Sequence, residues 1–400
     1  MGRKKKAFAV MIPALALATS VSQAVAGTAS AQPGLSLQAP GDPTAEPPAD
    51  PSAEPPAEPP ADPSAEPSAE PPADPSADPS AEPPGEPPAD PSAEPSAPAP
   101  PPPSAVKPGP RRDQFVDIRR APRVQVPRTS RGGSRGVFSV NCGTNEGQAH
   151  SNPDNVVAAP GVQNGAHHIH DYVGNLDTDA FSTDETLAAA GTTCTNGDKS
   201  TYFWPVLRLR NGEDGSERAE QSRLDGNVGS IVEPSSVRLQ FLGNARSRVT
   251  AMPAFLRMAT GDAKSSTNGL ANANALWSCS GFQERGFTNK YPLCPRGSQV
   301  LRILNFAGCW DGQNTDSANH RSHVSFADKR TGQCPQGTRA IPQLRMTLSY
   351  RVPARALAFA LDSFPEQGHD PVTDHGDFIN VMGDRLMRQA VTAINSGRRR

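Results

Sequence analysis

Apolar and polar positions alternate over several short stretches beyond residue 137, and Gly, Asn, Asp and Pro separate these stretches. The clearest is "QLRMTLSYRV", residues 343–352, in which Leu, Met, Leu, Tyr and Val share one face and polar residues share the other. A period of two is typical of a half-buried strand. The same period or a short apolar run predicts further strands at 200–210, 236–243, 251–259 and 299–306.

A helical period occurs toward the end of the sequence, in "FINVMGDRLMRQAVTAIN", residues 378–395. Apolar residues recur there at helical spacing, and they are Ile379, Met382, Leu386, Ala390 and Ile394. Many short strands joined by turn-rich segments are typical of an antiparallel sheet protein. The fold class that we predict is therefore mainly β, an antiparallel β-sandwich or barrel-like single domain over residues 137–396 with a C-terminal helix.

Residues 1–31 have the features of a secretory signal peptide. A basic head, Arg3–Lys6, precedes a short apolar stretch, and two A-x-A sites end at residues 26 and 31. We therefore predict a secreted, extracellular protein, with attachment to the cell envelope left open. An uncleaved membrane anchor is the alternative, but the segment is short and weakly apolar for a span of about 20 residues.

Residues 32–110 have a composition that cannot form a hydrophobic core. From residue 42 to residue 94 an acid, a Pro and two small or Pro residues repeat every four positions. Proline removes amide donors, the regularly spaced carboxylates repel one another, and no side chain is large enough to bury. This segment is predicted to be a disordered, extended, acidic stalk.

The whole chain has a net charge of −2, from 39 Lys and Arg against 41 Asp and Glu. Because the repeat carries only acids, the rest of the chain is basic, with Arg concentrated in residues 111–136, which we predict to be a basic linker. A basic exported domain favours an anionic partner, namely an extracellular or wall polysaccharide or another anionic polymer. Aromatic residues are scarce in the basic run, so specific binding of nucleic acid is not expected.

Six cysteines lie in the C-terminal part, at Cys142, Cys194, Cys279, Cys294, Cys309 and Cys334. An even number behind an export signal predicts three disulfides, for which fifteen pairings are possible. Proximity along the chain favours Cys279 with Cys294 and Cys309 with Cys334, which leaves Cys142 for Cys194. No pair has C-x-x-C spacing, so a thiolate zinc site is not expected.

Histidines and aspartates cluster at separate places that could together form one polar pocket. The sequence "GAHHIHDYVGN", residues 165–175, contains an H-x-H pair, His168 and His170, which would share one face of a strand. The other candidates are Asp311, Asp316, His320, His323, His369, Asp370, Asp374, His375 and Asp377. Imidazoles brought together from distant segments are suitable ligands for zinc or copper.

Several long motifs resemble, in order, those of the secreted domain-of-unknown-function family numbered nineteen ninety-six. They are "NPDNVVAAPGVQNGAHHIHDYVGN", "FAGCWDGQNTDSANHRSHVSF", "GQCPQGTRAIPQL" and "DHGDFINVM", within residues 140–388. The chain lacks the family's usual Trp after His-Gly-Asp-Phe and the usual His after Cys-Pro. The resemblance implies an exported, disulfide-bearing, mainly β domain and brings no established activity. Its polar motif positions fall on His168, His170, Asp311, Asp316, His320, His323, His375 and Asp377.

Two classes of function remain open. The first is a non-catalytic module that binds wall or extracellular polysaccharide and is displayed on the acidic stalk. The second is a metal-dependent hydrolase or lyase that acts on the same polymers, with His168, His170, His320, His323 and His375 as candidate metal ligands and Asp311 and Asp377 as candidate catalytic residues. The sequence has no G-x-S-x-G elbow, no phosphate-binding glycine loop and no H-E-x-x-H helix. Acid–base catalysis by His and Asp without a metal also stays open.

Overall fold

The computed structural model of the protein describes residues 109–210 and 226–399. The predicted signal peptide, residues 1–31, and nearly all of the predicted stalk, residues 32–110, lie outside the described residues. Within them the strands are β1 (Phe115–Asp117), β2 (Val137–Val140), β3 (Ser151–Asn152), β4 (His170–Gly174), β5 (Thr201–Pro205), β6 (Leu207–Leu209), β7 (Ser230–Val232), β8 (Ser236–Leu242), β9 (Arg257–Gly261), β10 (Leu276–Cys279), β11 (Tyr291–Leu293), β12 (Val300–Asn305), β13 (Cys309–Trp310), β14 (Val324–Ser325), β15 (Arg339–Ala340), β16 (Gln343–Tyr350), β17 (Phe359–Leu361) and β18 (His375–Ile379). The helices are α1 (Asp184–Ala189), α2 (Ser265–Asn268) and α3 (Asp384–Asn395).

Two five-stranded antiparallel sheets form most of the fold. Sheet I has the strand order β10-β12-β16-β8-β2, and sheet II has the order β3-β4-β5-β18-β9. The alternation in the sequence is realised in β16, where buried residues alternate with half-buried ones along the whole strand. Smaller sheets, β14-β13-β15 and β17-β6-β7, and a parallel pair, β1-β11, complete the strand pairing of the described residues.

The two large sheets pack face to face around one apolar core. The ring of Phe378 on β18 lies 6.1 Å from that of Phe241 on β8 and 6.2 Å from that of Phe306. A glycine also favours close contact, because a Cβ at Gly376 would lie 2.7 Å from Cδ1 of Leu304 on β12 and would displace that side chain. The predicted mainly β, antiparallel architecture is therefore confirmed.

The predicted C-terminal helix is present as α3, which packs against β2 and β8 of sheet I. It buries Met387, Ala390, Ala393 and Ile394. The helix begins at Asp384 rather than near Ile379, because Ile379 is the last residue of β18 and pairs there with β5 and β9. The helical spacing of Ile379 in the sequence was therefore coincidental.

The basic segment 111–136, predicted to be a linker, contributes to the fold. Its strand β1 pairs in parallel with β11, and Phe115, Ile118 and Ala121 are buried in the main core. The ring of Phe115 stacks on Tyr291 with a centroid distance of 4.9 Å. The apolar residues between the arginines thus pack this segment against the core of the domain, while the arginines lie at its surface.

All six cysteines form disulfides, as Cys142–Cys194, Cys279–Cys294 and Cys309–Cys334. These pairs are the ones that proximity along the chain favours. No helix among the described residues is long and apolar enough to cross a membrane.

Candidate metal centre

Three histidines from two distant segments of the sequence converge at one edge of sheet II. The Nε2 atom of His375 lies 3.2 Å from Nε2 of His168 and 3.3 Å from Nε2 of His170. All three side chains are buried, and only His375, with 6% of its surface accessible, reaches solvent to any extent. These three residues form a potential metal-binding cluster within the described part of the chain.

The order of strands in sheet II explains the convergence. Strands β4 and β18 both pair with β5, and His170 lies opposite Pro205, the last residue of β5. His375, the first residue of β18, lies at the same end of the sheet because Asp377 is paired with Phe203. His168 belongs to the bend before β4, so it is not part of the strand that the H-x-H pair predicted.

Backbone carbonyls fix the tautomers of two of these rings. Nδ1 of His170 lies 2.9 Å from the carbonyl oxygen of Asp154, and Nδ1 of His375 lies 2.8 Å from that of Thr373. A carbonyl oxygen can only accept, so both Nδ1 atoms carry the hydrogen, and in the neutral rings both Nε2 atoms present lone pairs. Two lone pairs therefore face each other across 3.3 Å, an arrangement that requires a positively charged species between them.

The third histidine, His168, has no hydrogen bond at Nδ1 to fix its tautomer. A hydrogen on its Nε2 would satisfy the contact with His375 but would leave the contact between His170 and His375 without a proton. Its Nδ1 is buried without a hydrogen-bond partner. The nearby Ala166 carbonyl opposes the lowering of the His168 pKa, although it makes no hydrogen bond of normal geometry.

Protonation does not supply the missing positive charge near neutral pH. Burial lowers the pKa of His168 and of His170 well below the usual value, and the neighbouring imidazoles lower both further. Burial also lowers the pKa of His375 to about 4. All three rings are therefore neutral at pH 7, which is the state in which imidazole binds a metal ion.

The spacing of the nitrogen atoms suits a tetrahedral ion. Zinc–nitrogen bonds of about 2.0–2.1 Å place two tetrahedral ligands about 3.3 Å apart, which matches the observed 3.2 and 3.3 Å. No further His, Cys, Asp or Glu of the described residues joins the three histidines in the cluster. Three protein ligands with a fourth position for water is the arrangement of catalytic zinc sites, whereas structural zinc sites have four protein ligands.

Asp154 holds the loop that orients His170. Its carboxylate accepts hydrogen bonds from the backbone N–H groups of Asn164, at 2.7 Å, and Ala180, at 3.1 Å. Its backbone carbonyl accepts from His170 and also from the hydroxyl of Tyr172, at 2.7 Å. Asp154 therefore connects the loop before β4 to one of the proposed ligands, and no sequence pattern around Asp154 indicated this role.

A buried pair of charges holds the segment before His375. Asp374 and Arg302 of β12 are fully buried and form a two-bonded ion pair, with Nε donating to Oδ2 at 3.1 Å. Arg302 also donates to the carbonyl of Pro205, at 2.7 Å. This pair ties both strands beside the cluster to sheet I.

Asp377 lies on the same face of β18 as His375, two residues further along the strand. Its carboxylate is buried and accepts a hydrogen bond from Nδ2 of Asn155, at 3.1 Å. Burial raises the pKa of Asp377 to about 7, and Arg321 and Asn155 act in the opposite direction. Of the two candidate catalytic aspartates, this is the one that the fold places near the histidine cluster.

The other predicted site residues have separate local partners and do not join the cluster. His320 contacts Asp316 through Nδ1, at 3.0 Å, and both ring nitrogens of His323 are used, by Ser317 Oγ at 2.9 Å and the Arg257 carbonyl at 2.7 Å. Asp311 accepts from the backbone of its own turn, at residues 313 and 314. The single pocket predicted from all these residues is thus reduced to three histidines and Asp377.

The match to a family model covers residues 154–381, which is more than half of the chain, and the family is described as a domain of unknown function (DUF1996). The chain belongs to this family. All three histidines of the cluster, together with Asp154 and Asp377, lie within the matched residues. Comparison with curated proteins and with solved structures finds no match.

Proposed function

We propose that this domain holds one transition-metal ion, zinc or copper, between His168, His170 and His375, and that it acts on extracellular or wall polysaccharide as a metal-dependent hydrolase or lyase. The observation that carries the proposal is the contact of 3.3 Å between two ring nitrogens that both present lone pairs. The three disulfides fit a protein of an oxidising, extracellular compartment.

A bound ion with an open position would polarise a substrate oxygen or generate hydroxide from water near neutral pH. The residues of the chain would hold and orient it: the carbonyls of Asp154 and Thr373 keep the Nε2 atoms of His170 and His375 unprotonated. Asp377 is the carboxylate that we assign to proton transfer, because it lies on the same face of β18 as His375. Asp311 is not assigned a role, since its carboxylate caps its own turn.

Metal content is the direct test of this proposal. Protein purified without a histidine tag should contain about one zinc or copper ion per chain, or take it up at micromolar concentration. The double variant His168→Ala/His170→Ala should lose the ion and the stabilisation that a ligand of the folded state provides.

The matched control is His320→Ala/His323→Ala, which also removes two imidazoles but outside the cluster. Its metal content should equal that of the wild type. A wild-type protein that neither contains nor takes up a transition metal would refute the proposed metal centre.

A second candidate function, binding of anionic polymer without catalysis, is favoured by one surface. The exposed side of α3 carries a groove lined by Arg385, Arg388 and Arg398, with Gln389 and Thr392 between them. Of these arginines, Arg388 lies 4.0 Å from Asp384 in an exposed contact that screens little of its charge. Salt-dependent retention on immobilised polyuronate, lost in Arg385→Ala/Arg388→Ala, would support this function.

A further inference from the structure

Two cationic side chains contact residues that neighbour the histidine cluster. The guanidinium of Arg321 donates through Nη2 to the carbonyl oxygen of Gly261, at 2.7 Å. Gly261 is paired with His375 in the register of β9 and β18, so Arg321 is held next to the most accessible of the three histidines.

The second cation is Lys264, on the side of His168. Its Nζ atom lies 4.4 Å from the centre of the Phe364 ring, and that ring contacts the His168 ring edge-on at a centroid distance of 5.2 Å. Phe364 thus covers His168, and Lys264 covers Phe364. The ammonium group is exposed and forms no ion pair among those found in the described residues.

A third feature of this region is a hydroxyl group that has no hydrogen-bond partner. Ser265, which follows Lys264, is buried, and its Oγ has no hydrogen-bond partner. It begins α2, which packs against the turn Pro371–Thr373 whose last carbonyl orients His375. A buried donor without a partner is costly unless a ligand or water satisfies it.

We propose that the metal centre takes an anionic saccharide, and that Arg321 and Lys264 bind the carboxylate of a uronate unit next to the ion. This inference rests on the proposed metal centre and specifies its substrate class. A planar guanidinium is suited to a carboxylate, and two cations flanking one position select a charged sugar over a neutral one. Two acids lie in this region: Asp262 accepts a hydrogen bond from the backbone N–H of Lys264, at 2.8 Å, and the buried Asp377 interacts electrostatically with Arg321.

The test uses trigalacturonate as the probe and the neutral trisaccharide maltotriose as the comparison, with binding measured by calorimetry on full-length protein of known metal content. Trigalacturonate should bind and maltotriose should not. Arg321→Ala and Lys264→Ala should each weaken trigalacturonate binding about tenfold or more, since each removes a charged hydrogen-bond donor. The metal content of both variants should stay at the wild-type value.

Lys329→Ala/Arg330→Ala is the matched control, because it removes one exposed lysine and one exposed arginine from a turn outside the histidine cluster. Its affinity for trigalacturonate should be unchanged. Equal affinity of the Arg321 and Lys264 variants and the wild type, or an equal loss in the Lys329→Ala/Arg330→Ala control, would overturn the inference. Absence of metal would refute the proposed function but would leave the binding comparison between variants readable, so the two failures are distinguishable.

Discussion

Asp154→Ala offers the sharpest test of how the fold prepares His170 for a metal ion. The substitution removes a buried carboxylate that accepts two backbone hydrogen bonds, from Asn164 and Ala180. Hydrogen bonds to a charged group contribute about 1.5–3 kcal/mol each. The expected loss in the free energy of unfolding is therefore about 3–6 kcal/mol, a large share of the total of about 5–15 kcal/mol that is typical of a domain.

The functional consequence of Asp154→Ala is expected at the metal. The carbonyl that accepts from Nδ1 of His170 is still present in the variant, but the loop that holds it is no longer fixed. Loss of such an outer partner typically lowers metal affinity about 10–100-fold. Urea unfolding measures the loss in the free energy of unfolding, and competition with a chromogenic chelator measures the loss in zinc affinity.

Asp198→Ala provides the control, since it also removes a buried carboxylate with two hydrogen bonds. Asp198 accepts from the backbone N–H of Ser200, at 2.9 Å, and from the hydroxyl of Tyr202, at 2.6 Å, before the start of β5. Unchanged zinc affinity is expected, together with some loss of stability. If Asp154→Ala bound zinc as tightly as the wild type, or no more weakly than Asp198→Ala, the argument that Asp154 positions His170 would fail.

The disulfides, the buried ion pairs and one buried acid give three further predictions. Thiol titration in denaturant without reductant should find no free cysteine, and reductant should lower the melting temperature, since removing a native disulfide typically costs about 2–5 kcal/mol; two reactive thiols would contradict this. Asp374→Ala and Asp362→Ala each remove the carboxylate that forms an ion pair with a buried arginine, Arg302 and Arg208 respectively, and each should cost about 3–5 kcal/mol in urea unfolding. Chelator competition should show weaker zinc binding for Asp374→Ala alone, because Asp374 precedes His375. Burial raises the pKa of Asp198, so its contribution to stability is present at low pH and is lost as the pH rises through the folded-state pKa. The free energy of unfolding of Asp198→Asn, relative to the wild type, should therefore rise from about pH 3 to pH 7, and an unchanged difference would refute this.

The candidate site could be predicted only in part, and the reasons differ from residue to residue. The H-x-H pair pointed to His168 and His170, but the strand begins at His170, so a bend rather than a shared strand face brings His168 to the cluster. His320 and His323 looked equally suitable, since a histidine beside an aspartate or serine has the same local pattern whether it binds a metal or a neighbour. Asp154 was missed because its role lies in the partners of its backbone and carboxylate.

The sequence by itself determined the features that depend on short-range geometry. Alternation along β16 follows from the period of a strand, the repeating apolar residues of α3 follow from the period of a helix, and two of the three disulfides join cysteines close in the chain. Only the tertiary structure decided that His375 meets His170, 205 residues away in the chain. Which strands pair depends on how a whole face of the sheet packs, as the close approach of Gly376 to Leu304 on the other sheet illustrates. A local sequence pattern contains no information about such long-range packing.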